Sequence, residues 1–72
     1  MLFKNQAKIA EAAMRLVYQG TPEQIDAFED REGCSLSTTV DALWAAAEEQ
    51  GDPAMAKRLE AAYDRLTGRD TP

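Results

Sequence analysis

Residues 20–44 read GTPEQIDAFEDREGCSLSTTVDALW, and a shorter echo of the opening recurs as GDPAM at residues 51–55. Both begin with glycine, follow it with a helix-capping residue, and place proline next. Thr21 and Asp52 are N-cap types, and Pro22 and Pro53 fall at the first helical position, where a missing N–H costs nothing. Gln24 stands three residues after Thr21, where a capping box expects it. After Gly33, Ser37 or Thr38 can cap, and Thr38 has capping-box spacing to Asp41. The four glycines, Gly20, Gly33, Gly51 and Gly68, each fall where a helix would close in the left-handed conformation. No segment alternates apolar and polar residues as a half-buried strand does. The punctuation predicts an all-α chain with helices at approximately 3–19, 22–32, 38–50 and 53–67, forming a single helical domain over 1–68 with a frayed tail at 69–72.

Apolar spacing agrees. The fourth helix carries Met55, Leu59, Ala62 and Leu66 as a seam, widened by Tyr63. The third aligns Val40, Leu43, Trp44 and Ala47, while Ala42, Ala45 and Ala46 keep its other sides slim. The first offers two adjoining stripes: Leu2, Ile9, Ala13 and Leu16, with Phe3, Ala10, Met14 and Val17 beside them. That arc is wider than one partner helix needs, which suggests contact with two layers. The second helix is short, with Ile25 and Phe28 as its large apolar anchors. The seams of the first and fourth helices are the longest, so they are the expected central pairing or dimer interface. A chain of 72 residues buries a small share of its surface and usually needs a staple or a second copy. One cysteine, Cys34, and no histidine leave neither a disulfide nor a structural zinc site. The expected architecture is a compact bundle of about four short helices, completed by homodimerisation.

Charge is distributed unevenly. Residues 1–19 set Lys4, Lys8 and Arg15 against Glu11. Residues 20–53 set Glu23, Asp26, Glu29, Asp30, Glu32, Asp41, Glu48, Glu49 and Asp52 against Arg31 alone, and the rest of the chain is weakly basic. The acidic middle repels phosphate backbones and attracts basic protein surfaces. Glu29, Asp30 and Glu32 crowd the end of the second helix, where the helix dipole favours cations. Such a placement suggests a binding face; the plain alternative is a solvated one.

Residues 21–43 also resemble a helix-turn-helix, whose two helices read roughly T-x-x-x-I-A…G-x-S-x-S-T-V…L. Thr21, Ile25, Gly33, Ser35, Ser37, Thr38 or Thr39, Val40 and Leu43 carry the resemblance. It implies a DNA-reading second helix. The spacing departs from the pattern, with extra residues between Ile25 and Gly33 and one more before Val40. The helix after Gly33 holds no basic residue to meet phosphates or guanine. Direct nucleic-acid binding is therefore not expected.

No chemistry-bearing constellation stands out. Cys34 has no histidine to act as its base, and Glu48 and Glu49 point about 100° apart on a helix. A helical chain this short offers little room for a cleft of about 300 Å³. No catalytic, cofactor or metal site is expected, and no enzyme. No run reaches the ~18 to 20 apolar residues of a membrane span, and the lone thiol without a secretion signal fits a reducing cytoplasm. The expectation is a non-enzymatic module that engages a larger protein as regulator, inhibitor or adaptor, of the type made by phages and mobile elements. Its binding face would be Glu29, Asp30, Glu32, Asp41, Glu48 and Glu49, with Phe28, Leu36, Trp44 and Tyr63 as anchors for the partner or the dimer. An acidic DNA mimic is the alternative, and a helix-turn-helix regulator a further one.

Overall fold

The computed structural model describes residues 2–68. Four helices follow one another: α1 (Lys4–Gln19), α2 (Pro22–Glu32), α3 (Leu36–Glu49) and α4 (Pro53–Thr67). Among the described residues there is no strand, and the helices form a compact globule with a Cα radius of gyration of 11.6 Å. The expected tail at 69–72 lies outside the described residues.

The local signals act much as the residues suggest. At α2 the Gln24 amide donates to Thr21 Oγ1 at 3.2 Å and the Thr21 amide to Gln24 Oε1 at 3.0 Å, a reciprocal capping box. At α4 the Met55 amide donates to Asp52 Oδ1 at 3.2 Å. The other Asp52 oxygen accepts the Leu2 amide at 3.4 Å, which holds the chain start against the α3–α4 turn.

Three local expectations need correction. The cap of α3 is Ser35, not Ser37 or Thr38: its hydroxyl accepts the Thr38 amide at 3.2 Å and donates to Thr38 Oγ1 at 2.8 Å. The helix thus starts at Leu36, two residues earlier than expected, and this puts Leu36 into the core at 2% exposure. Gly20 is not left-handed; it is extended (φ −77°, ψ 146°). Glycine is required there for a different reason, since a Cβ would lie 2.6 Å from the Leu16 carbonyl oxygen. Phe3 leaves the α1 stripe because it is the extended residue before the helix, and it stays 69% exposed.

The largest correction concerns packing. The most extensive contact joins α3 to α4, while α1 lies across both and α2 docks chiefly on α3. The core brings Leu36, Val40, Leu43 and Ala47 of α3 against Ala56, Leu59 and Ala62 of α4. Ala47 and Ala62 are fully buried, and small residues at a crossing let helix axes approach closely. The long seam on α1 does not mark the central pairing within the chain, because α1 divides its contacts: Ala10, Ala13 and Met14 are buried, whereas Ile9, Leu16 and Val17 remain half-buried. Glu11 pairs with Arg58 of α4 at 2.8 Å, and Gln50 Nε2 donates to Gln6 Oε1 at 3.0 Å. Among the described residues no helix is long and apolar enough to cross a membrane.

The cap assignment has a direct test by urea unfolding. Ser35→Ala should lower stability by about 1 kcal/mol. Thr38→Ala, inside the helix, should be neutral or slightly stabilising because alanine is the better helix former.

Candidate functional site

The six acids expected to form one face fall into separate environments. Glu29 is half-buried, and its Oε2 accepts the backbone amide of Leu36 at 2.6 Å. A carboxylate that strains the end of α2 therefore sits at the start of α3, where the dipole is positive and the first amides lack intrahelical acceptors. Its misfit with α2 is resolved by α3, and Glu29 serves the fold. Glu32 is also partly covered, with 25% of its side chain exposed, and lies 3.7 Å from Arg31 Nε. The Arg31 guanidinium in turn stands 5.5 Å from the centre of the Phe28 ring.

Asp30, Asp41, Glu48 and Glu49 are exposed. Helical geometry sets Asp41 and Glu48 on one stripe, about 10.5 Å apart along the axis. Exposed Ala42 and Ala45 keep the ground between them low. Glu48 and Glu49 fall in the last turn of α3, which holds no basic residue. Neither they nor Asp41 join an ion pair among the described residues. Here, unlike at Glu29, nothing in the fold offsets the unfavourable placement against the dipole.

The four proposed anchors also divide. Phe28 and Leu36 are 3% and 2% exposed, so both are committed chiefly to the chain's own core, with Phe28 also reaching the floor of a surface cleft. Their helices face inward at those positions, Leu36 because α3 starts early. Trp44 and Tyr63 are half-buried and pack on each other across the α3–α4 contact, ring centroids 6.1 Å apart and tilted by 47°. Tyr18, 48% exposed, lies under the Arg65 guanidinium at 5.1 Å. Cys34 is exposed, with Sγ 3.1 Å from the Thr39 hydroxyl, which itself reaches the Ser35 carbonyl at 3.1 Å. Among the described residues no three His, Cys, Asp or Glu side chains are placed to hold a metal.

One feature was not legible from the acids at all. An open cleft of about 460 Å³ runs between α1 and α2, wider than the chain length suggested. Ala12, Leu16, Ala27 and Phe28 give it an apolar lining, and Arg15 and Arg31 stand at it without any carboxylate. It offers shape, apolar surface and positive charge, with no acid, base or nucleophile for turnover. Of the basic residues on the exposed side of α1, only Arg15 lines it, so the charge pattern along the chain gave little sign of it.

Comparison with protein-family models, curated proteins and solved structures yields no match. The surfaces must therefore be interpreted from their own chemistry.

The two kinds of carboxylate should separate on mutation. Glu29→Gln should lower the free energy of unfolding by about 1 kcal/mol, because a charge-assisted bond at a helix start is replaced by a neutral one. Glu48→Gln with Glu49→Gln should leave stability unchanged or raise it by a few tenths of a kcal/mol. Urea titrations of the three proteins at neutral pH make the comparison.

Proposed function

We propose that this protein is a non-enzymatic binding module, a regulator, inhibitor or adaptor that engages a larger protein bearing a basic surface. It works as a homodimer in a reducing cytoplasm. The carrying observation is the outer face of α3: Asp41, Glu48 and Glu49 are exposed and without ion-pair partners among the described residues. Two of them oppose the helix dipole. Carboxylates held against the local electrostatic preference, with no role in the fold, are what a binding face for cations requires. Flanking alanines let a partner's long basic side chains reach the carboxylates, and half-buried Trp44, on the same helix and packed on Tyr63 of α4, adds apolar surface.

A second reading rests on α2. Glu23, Asp26 and Asp30 are exposed at helical spacing on its outer side, so α2 and α3 each present a row of carboxylates. Two such rows suit a mimic of nucleic acid, whose partner would itself bind phosphate backbones. Reading DNA directly suits this surface poorly, because α3 exposes Asp41, Glu48 and Glu49 and contains no lysine or arginine.

Capture from lysate by wild-type protein and by an Asp41→Lys, Glu48→Lys, Glu49→Lys variant tests the proposal. The expected result is one dominant protein retained by the wild type and reduced at least tenfold by the variant, while helix content is unchanged. Release by added nucleic acid would favour the mimic. Equal capture by both proteins would refute a role for the α3 face.

A further inference from the structure

The cleft between α1 and α2 combines an apolar lining with positive charge from both helices. Half-buried Leu16 and the buried ring of Phe28 line it, and exposed Ala12 and Ala27 have too little bulk to close it. Arg15 comes from α1 and Arg31 from α2, and no carboxylate lines it. Neither guanidinium is used up by the fold. Arg15 joins no ion pair or hydrogen bond among the described residues, and Glu11, one turn before it, is held by Arg58 at 2.8 Å. Arg31 meets Glu32 only through Nε at 3.7 Å, longer than a hydrogen bond. Its guanidinium carbon lies 5.5 Å from the centre of the Phe28 ring, which keeps the charge at the cleft. Gln24 lines the same cleft and gives its Oε1 to the Thr21 amide, so its remaining polar atom, Nε2, is a donor.

Two arginines and an amide donor with no acid among them suit a carboxylate, which a guanidinium binds through two parallel hydrogen bonds. The apolar lining favours a carrier that also brings an aliphatic or aromatic group. The surroundings narrow the occupant further. Glu23, Asp26 and Asp30 are exposed elsewhere on α2 and do not line the cleft. They repel a polyanion such as nucleic acid or an anionic membrane, whereas a few carboxylates set against the arginines avoid them. Shape separates a peptide from a small molecule. Small-molecule sites bury most of their ligand. This cleft, about 460 Å³, lies open between two helices, so a chain segment can lie along it, as peptides do in helix-lined grooves.

We propose that the α1–α2 cleft is a second docking site, for a short acidic peptide segment of a partner protein. The segment seats one apolar side chain over Leu16 and Phe28 and sets flanking carboxylates on Arg15 and Arg31. None of Asp41, Glu48 and Glu49 lines the cleft, and its charge preference is opposite to theirs. It therefore stands or falls independently of the α3 face.

Selection of a displayed random-peptide library on the wild-type protein, followed by fluorescence anisotropy of the enriched peptides at low salt, provides the test. A class of enriched peptides should carry aspartate or glutamate beside a leucine, phenylalanine or similar residue. Arg15→Glu/Arg31→Glu should weaken their binding at least tenfold. Ala27→Trp, which fills the cleft without altering charge, should weaken it comparably. All three positions are exposed, and circular dichroism checks that both variants are folded. Asp41→Lys/Glu48→Lys/Glu49→Lys should leave these peptides bound. Failure to enrich acidic peptides, or acidic peptides that bind both cleft variants as tightly as the wild type, would overturn the proposal. So would phenylbutyrate binding as tightly as the peptides, since the cleft would then be a site for small carboxylates.

Discussion

The bond between the Glu29 carboxylate and the Leu36 amide ties the end of α2 to the start of α3. α2 is short, has a single buried side chain in Phe28, and docks chiefly on α3. Its apolar anchoring alone is modest. Glu29 adds a charge-assisted bond, 2.6 Å long, across a three-residue connection, and such bonds are about twice as strong as neutral ones. The bond fixes the end of α2 at the start of α3 and supplies an acceptor for an amide that no helix can satisfy internally. With α2 tied there, α1 is left with an open flank.

α3 is the other fixed point, since it alone makes substantial contact with each of the remaining helices. Its inward stripe of Leu36, Thr39, Val40, Leu43 and Ala47 is buried. Burying one stripe of a helix turns the opposite stripe outward, which leaves Asp41, Ala42, Ala45, Glu48 and Glu49 in solvent. Fold and proposed function thus share one helix without competing for side chains. The cost appears only at the last turn, where two glutamates oppose the dipole.

What the sequence made legible was local. The Thr21–Gln24 box and the Asp52–Pro53 start could be read because each cap bonds within a few residues of itself. The start of α3 was harder because Ser35, Ser37 and Thr38 all have capping hydroxyls. Ser35 prevails through the burial of Leu36, which is settled by packing against distant residues. Glu29 was misjudged for the same reason: its acceptor role spans seven residues and two helices. The pairing of α3 with α4 was hidden by alanines, which carry a weak apolar signal but permit the closest contact. Of the candidate surface, exposure of Asp30, Asp41, Glu48 and Glu49 could be anticipated from charge, and burial of Phe28 from its place as an apolar anchor of α2, but the burial of Leu36 could not.

Amide hydrogen exchange at Leu36, followed by NMR with Ser37 in the same turn as internal comparison, tests the α2–α3 attachment most directly. First-turn amides ordinarily exchange fast because they lack acceptors. A Leu36 amide held by Glu29 should exchange at least tenfold more slowly than that of Ser37. Leu36 exchanging as fast as Ser37 would mean that the carboxylate does not hold the helix start, and the account of how α2 is positioned would be contradicted.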